Sequence, residues 1–319
     1  MTAARSIAHT IETPLVSDTS KSLLRVLLYY DIFDYPLSAS EIFERSSVAT
    51  IKEVYSELDY LTELGLIYRF GGYYTVQNNP GLTKRRLKGN ECAMKHMKKA
   101  RFMSSIMGHF PFVRSVMLSG SISKMYMDEK SDIDYFVVTA PNRLWIARLF
   151  FVLFHKIILL NKTKFFCYNY MIASDHLGIA KQNTYTATEI VTLIPTFGSE
   201  GYEDFLKANN WVKDFFPNFP IPITEDIQEN RSWIKRLLEK AFSGKLGEKI
   251  DIYLMKHTER RWHKRQPPHM FADPGAYMSL KRHTAKGHTQ DHYPRITNSY
   301  EDNLHSFETR HGVSLSVGL

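Results

Sequence analysis

The sequence predicts an α+β chain of several domains, and three observations carry that expectation. Residues 21–64 repeat apolar side chains at helical spacing and then give way to a short aromatic hairpin around Gly71-Gly72. Residues 111–139 read as a strand, a Gly-Ser turn, a polar connection and a second strand, followed by an apolar stretch of helix length. From 200 to 265 the pattern is helical again. With 319 residues, 44% apolar and 23% charged, the chain can bury more than one core and lacks the composition of a disordered protein. The expected segments are a leader at 1–20, a helical domain with a hairpin at 21–79, a basic helical linker at 80–109, a mixed-sheet α/β domain at 110–199, a helical region at 200–265 and a basic, His-rich tail at 266–319.

A first helix starts at Lys21 and stops before the Tyr35-Pro36 break. Ser38 and Glu41 have capping-box spacing for a second. The third places Ile51, Val54, Tyr55, Leu58, Leu61 and Leu64 on one face and ends at Gly65. Three helices and a hairpin resemble a winged helix, a fold used by many DNA-binding proteins. The third helix would be the one that enters the groove, and it carries Lys52 against Glu53, Glu57, Asp59 and Glu63. Phosphate would repel it, so DNA binding is less expected here than packing or protein docking. Residues 84–101 form the densest basic run, either a solvated helix or a basic flank beside an anionic substrate.

The formal charge of +8 admits a nucleotide, a nucleic acid or a membrane surface as partner without choosing among them. The N-terminus has no secretory apolar run, and the two cysteines, Cys92 and Cys167, fit a reducing compartment, so a cytoplasmic location is expected. The apolar stretch 144–160 is short for a membrane span and is interrupted by Arg148, His155 and Lys156; a central Arg alone costs about 2.5–3.5 kcal/mol on insertion. A helix packed on a sheet is the simpler reading, and no membrane partner is expected. A third strand follows at 164–174, and 184–198 reads as a helix ending near Pro195. An amphipathic helix is expected at 200–216 and a longer one from Ser232 to Arg265, broken near Gly244 and Gly247. In the last segment His283, His288 and His292 match no standard ligand spacing. Lys281, Arg282, Lys286, His288 and His292 read as phosphate contacts, or the segment as a polar surface packed by Phe271, Tyr277 and Leu280.

The chemistry concentrates at 111–139. Val116, Met117 and Leu118 lead to Ser119 and Gly120-Ser121, and Asp132 and Asp134 open the second strand. Residues two apart on a strand share a face, about 6–7 Å apart along it. Paired carboxylates beside backbone N–H groups of a Gly-Ser turn suit a divalent cation and phosphate.

Gly120-Ser121, ten residues, then Asp132-Ile133-Asp134 with its apolar continuation Tyr135, Phe136, Val137 and Val138 resembles the signature of the DNA polymerase beta-like nucleotidyltransferase superfamily. The resemblance spans about 110–200, the minimal catalytic domain. It implies a central nucleotidyltransferase α/β domain with a small mixed sheet; with the winged-helix resemblance before it and the helical pattern after it, the expectation is an α+β multidomain chain with an N-terminal winged helix and a C-terminal helical region. It further implies that Asp132 and Asp134 hold Mg²⁺, or Mn²⁺ in its place, on the phosphates of an NTP. Gly120, Ser121 and Lys124 would bind the nucleotide, and the acceptor would be a small molecule, a protein or an RNA. Two positions depart from the pattern. Met125 stands where many relatives have Gly, and Asn169 stands where the third carboxylate is expected on the next strand, leaving Glu189 or Asp175 as substitutes. A winged-helix nucleic-acid-binding or regulatory protein with a degenerate, nucleotide-sensing transferase domain is the alternative.

Overall fold

A computed structural model describes residues 16–161, 164–225, 227–229, 232–271, 278–287 and 292–315. They divide into one unit up to Thr83 together with Arg295 onward, and a second unit of Lys84–Pro294. Both mix helix and sheet.

In the first unit α1 (Asp18–Asp31) begins three residues before the expected start, because the Ser17 hydroxyl accepts from the Ser20 N–H and caps it. Of the leader, residues 1–15 lie outside the described residues. A two-residue strand, β1 (Leu37–Ser38), precedes α2 (Ala39–Glu44), where Ser38 and Glu41 form the capping box. In α3 (Ile51–Glu63) Val54, Leu58 and Leu61 are buried, whereas Tyr55 and Leu64, expected on the same face, are exposed. Glu57 accepts from Ser17 and Ser20, and Glu53 from Thr19, so two acids of α3 serve to hold the start of α1. Strands β2 (Tyr68–Phe70) and β3 (Tyr73–Thr75) flank Gly71 and Gly72, both at positive φ as a two-residue hairpin turn requires. The sheet order is β1-β3-β2, all antiparallel. The residues expected as the end of a tail supply a helix to this unit instead: α12 (His292–His311) buries Ile296 and Phe307, and its Asn303 and Tyr300 donate to the Leu28 and Arg25 carbonyls of α1.

The second unit is built on a six-stranded mixed sheet of order β7-β4-β5-β6-β9-β8. Its strands are β4 (Val113–Ser119), β5 (Asp134–Thr139), β6 (Cys167–Ala173), β7 (Ile194–Phe197), β8 (Met278–Lys281) and β9 (Thr284–Gly287). Only the β5–β6 pair is parallel, joined by the apolar helix α6 (Leu144–Ile157). Alternation along β5 divides the core: Tyr135 and Val137 pack with α6 and with α4 (Gly81–Gly108), while Phe136 and Val138 pack beneath α7 (Thr184–Val191), α8 (Ser199–Ala208) and α9 (Val212–Phe215). No helix among the described residues is long and apolar enough to cross a membrane.

Four features depart from the sequence expectation. The helix at 184–198 stops at Val191, and Ile194–Phe197 is a strand; Pro195 lacks an N–H for the ladder but is tolerated because β7 is an edge strand. The helix at 200–216 breaks into α8 and α9 at Asn209, whose buried side chain bonds the Leu177 and Phe205 carbonyls and the Ile179 N–H. The basic segment at 80–109 is the expected helix, α4, but it is not a solvated linker: it buries Ala93, Ala100, Met103 and Met107 in the sheet core. The expected tail contributes the β8–β9 hairpin to the sheet, with His283 in its turn; His288 and Tyr277 lie outside the described residues, as does the side chain of His292.

Helix α11 (Lys245–Arg265), which follows α10 (Trp233–Ala241), packs on α6. Asp251 of α11 is fully buried and accepts from the Trp145 and Ile146 N–H groups at 2.9 Å each, capping α6 from another element where Arg143 provides no cap. Arg143 in return donates to the carbonyls of Phe242, Ser243 and Gly244 beyond α10. Burial raises the Asp251 carboxyl to about 6, against the hydrogen bonds from Ile146 and Trp145 and the charges of Arg143 and Arg282. Asp251→Ala strands two buried N–H groups and is expected to cost about 2 kcal/mol, roughly 4–8 °C in Tm. Asp251→Asn keeps an acceptor oxygen and is expected to recover at least half of that loss in a thermal melt.

Candidate active site

The site forms where β4 ends and β5 begins. Gly120 follows Ser119 at φ +67, and the chain turns into a single helical turn, α5 (Gly120–Ser123). The missing side chain at Gly120 matters twice. The positive φ favours glycine, and a Cβ there would lie 2.4 Å from Asp134 Oδ2. The carboxylate therefore rests directly against the turn.

Asp134 is the first residue of β5, opposite Ser119 on one side and Cys167 on the other. By alternation it shares the face of Phe136 and Val138, the face that α7 covers. Asp132 lies two residues earlier, exposed, on an extended stretch just ahead of the strand rather than within it. Buried Ile133 holds that stretch in place through its N–H to the Lys164 carbonyl and its carbonyl to the Cys167 N–H.

Asn169 reaches the same point from β6: its Nδ2 donates to Asp134 Oδ1 at 3.0 Å. Lys124 lies one turn past Gly120 and donates to the Gly120 carbonyl at 3.1 Å and to Glu189 Oε2 of α7 at 3.0 Å. The structure thus gathers Gly120, Lys124, Asp132, Asp134, Asn169 and Glu189 in one place, with Ser121 half-buried in the turn between them. Asp175 is elsewhere; it follows the far end of β6 and pairs with His176, whose ring stacks on His283 at 3.8 Å. Met125 adopts φ +55, the conformation glycine favours, and its carbonyl accepts from Asn90 of α4.

Burial pushes the Asp134 carboxyl up to about 6; a hydrogen bond from Cys167 opposes this, Asp132 and Glu189 add to it, and Lys124 relieves it. Cys167 is the residue that sequence reading passed over. Its thiol, raised to about 12 by burial and by the two aspartates, stays protonated and donates to Asp134. The available signal was its place two residues before Asn169, on the strand expected to carry the third acid.

The donor set is hard and oxygen-rich, and Mg²⁺ characteristically takes one or two carboxylates and completes its shell with substrate phosphate and water. Asp132, Asp134 and the open Gly120 turn fit that requirement. Among the described residues, no group of three or more His, Cys, Asp or Glu side chains is arranged to hold a metal by itself. A second concave region, lined by Phe112, Arg114, Asn142 and Arg143, lies at the opposite ends of β4 and β5. Its arginines are engaged, Arg114 by Glu239 and Arg143 by backbone carbonyls. No family model, curated protein or solved structure matches this chain.

Proposed function

We propose that the chain is a metal-dependent nucleotidyltransferase that moves a nucleoside monophosphate from an NTP to an acceptor hydroxyl. The observation that carries this reading is the packing of Asp134 against the side-chain-free Gly120 turn, with Asp132, Lys124 and Glu189 around it. A carboxylate held half-buried among like charges is unfavourable unless a cation joins it, and such perturbed acids mark functional sites.

Asp132 and Asp134 would hold Mg²⁺, which supplies neutralisation of the triphosphate charge. The N–H groups of the 120–121 turn and the Lys124 ammonium would orient the phosphates, Lys124 exchanging Glu189 for phosphate oxygen. The acceptor oxygen forms its bond to the α-phosphorus as the bond to the bridging oxygen breaks, pyrophosphate leaves, and the hydroxyl proton passes to water or to a neighbouring carboxylate. The three helices and hairpin of the first unit serve as a winged-helix module for the acceptor. Glu53 and Glu57 of α3, bonded to the start of α1, suit such a role better than DNA binding.

Asn169 supports a second reading, a regulator that senses nucleotide without transferring it. An amide cannot accept a proton, and here it donates to Asp134. The test is incubation with labelled NTPs, Mg²⁺ and cell extract. A labelled product supports transfer; Mg²⁺-dependent NTP binding without product supports sensing, and absence of both overturns the two readings together.

A further inference from the structure

Helix α10 reverses the arrangement usual for a surface helix. It buries a cation, Lys235 at 3% exposure, and turns Trp233, Ile234 and Leu237 outward at 69%, 52% and 58%. At 3.6 residues per turn, Trp233, Ile234, Leu237 and exposed Ala241 lie within an arc of about 100°. Lys235 sits on the opposite side, its Nζ donating to the carbonyls of Gly108 and Val113. Glu239, also on the inner side, accepts from the Phe112 N–H and from Arg114. Polar bonds from the inner face therefore fix the helix in the orientation that leaves its apolar stripe outside.

Among the described residues of α10 and the first turns of α11, the exposed charges are cationic. Arg236 and Lys240 flank it, and Lys245 and Lys249 follow at the start of α11, all exposed. The acids of α10 and of the first two turns of α11 face inward or are engaged: Glu239 pairs with Arg114, Glu248 with Arg282, and Asp251 caps α6.

We propose that α10 is an interfacial helix that docks the protein on an anionic lipid bilayer. Trp233, Ile234 and Leu237 enter the boundary between headgroups and acyl chains, and Lys240 and Lys245 meet lipid phosphates. Two features select a bilayer over a protein partner. The three large side chains offer roughly 400 Å², about half of what each side of a stable protein interface buries, whereas a bilayer sets no such minimum. A tryptophan among aliphatic neighbours with long cationic side chains alongside also matches the polarity gradient of a membrane surface. The sequence expectation of no membrane partner rested on spanning, and an interfacial helix spans nothing. The docking is independent of the transferase reading.

The test is co-sedimentation of the full chain with phosphatidylcholine vesicles and with vesicles of phosphatidylcholine mixed with phosphatidylglycerol. Retention by the mixed vesicles alone is expected, reversed by added salt and accompanied by a blue shift of tryptophan emission that Trp233→Phe removes. Leu237→Ser, an exposed position where the fold is retained, should weaken retention about tenfold. Lys240→Glu with Lys245→Glu should weaken it further without altering the melting temperature. Absence of retention, or retention equal in wild type and Leu237→Ser, overturns the proposal. So does a dimer in light scattering that Leu237→Ser dissociates while vesicles bind neither form, since a second copy then covers the stripe.

Discussion

Asp134→Asn is expected to abolish Mg²⁺-dependent NTP binding and, in the same protein, to raise the melting temperature without ligand. Both effects come from one cause. The Asp134 carboxyl titrates near 6 in the folded chain, above the usual carboxylate value, chiefly because burial disfavours its charge. A carboxyl whose folded value is raised binds its proton more tightly when folded, so stability falls as pH rises from about 4 to 6 and stays lower above 6. At neutral pH the ionised group costs about 3 kcal/mol, and asparagine removes that cost while its amide oxygen keeps the bond from Asn169. The loss of binding should be on the order of 100-fold or more, because one of two carboxylates disappears. Asp132→Asn should lose binding to a similar degree without the gain in stability, since Asp132 is exposed. Calorimetric titration with ATP and Mg²⁺, alongside thermal melts, separates these outcomes. Unchanged affinity in both variants would remove the site from the mechanism. Wild-type Mg²⁺-dependent binding should also weaken as pH falls through 6, where protons compete for Asp134.

The gathering of this site was partly legible in the sequence. The continuous apolar runs of β4 and β5 read as buried strands whose residues point alternately to the two faces, and a glycine followed by serine marks the turn, so Gly120 and Asp134 follow from local chemistry. Asn169 follows from the same alternation on β6. What the sequence withheld depends on residues far apart in the chain. The Lys124–Glu189 pair joins the residue that ends α5 to α7, positions that no local pattern relates. Strand β7 hides behind Pro195, which reads as a breaker until an edge position makes its missing N–H harmless. The β8–β9 hairpin has a basic, weakly patterned sequence, and its strand character comes from the partner β6. The outward face of α10 is the clearest case: its pattern is that of an ordinary amphipathic helix, and only the carbonyls of Gly108 and Val113 select Lys235 as the inner side.

Asn169→Asp bears most directly on whether the site transfers or only senses. The wild-type amide donates to Asp134 Oδ1, stabilising the ionised carboxylate without adding charge. Aspartate there removes that donor and places a third negative group beside Asp132 and Asp134. The nucleotide-free protein should become less stable at neutral pH, by about 1–3 kcal/mol, and the Asp134 carboxyl should titrate still higher. Cation affinity should rise, because three carboxylates repel one another less once Mg²⁺ joins them. If wild type is a transferase limited by its missing acid, pyrophosphate release from NTP should gain at least tenfold, since the new carboxylate can take the acceptor proton that an amide cannot. A variant that binds Mg²⁺ and NTP more tightly yet releases no pyrophosphate favours the sensor. In that case the acceptor geometry, and not the third acid, is what the chain lacks, because the variant already has every charge that phosphoryl transfer requires at this end of the sheet.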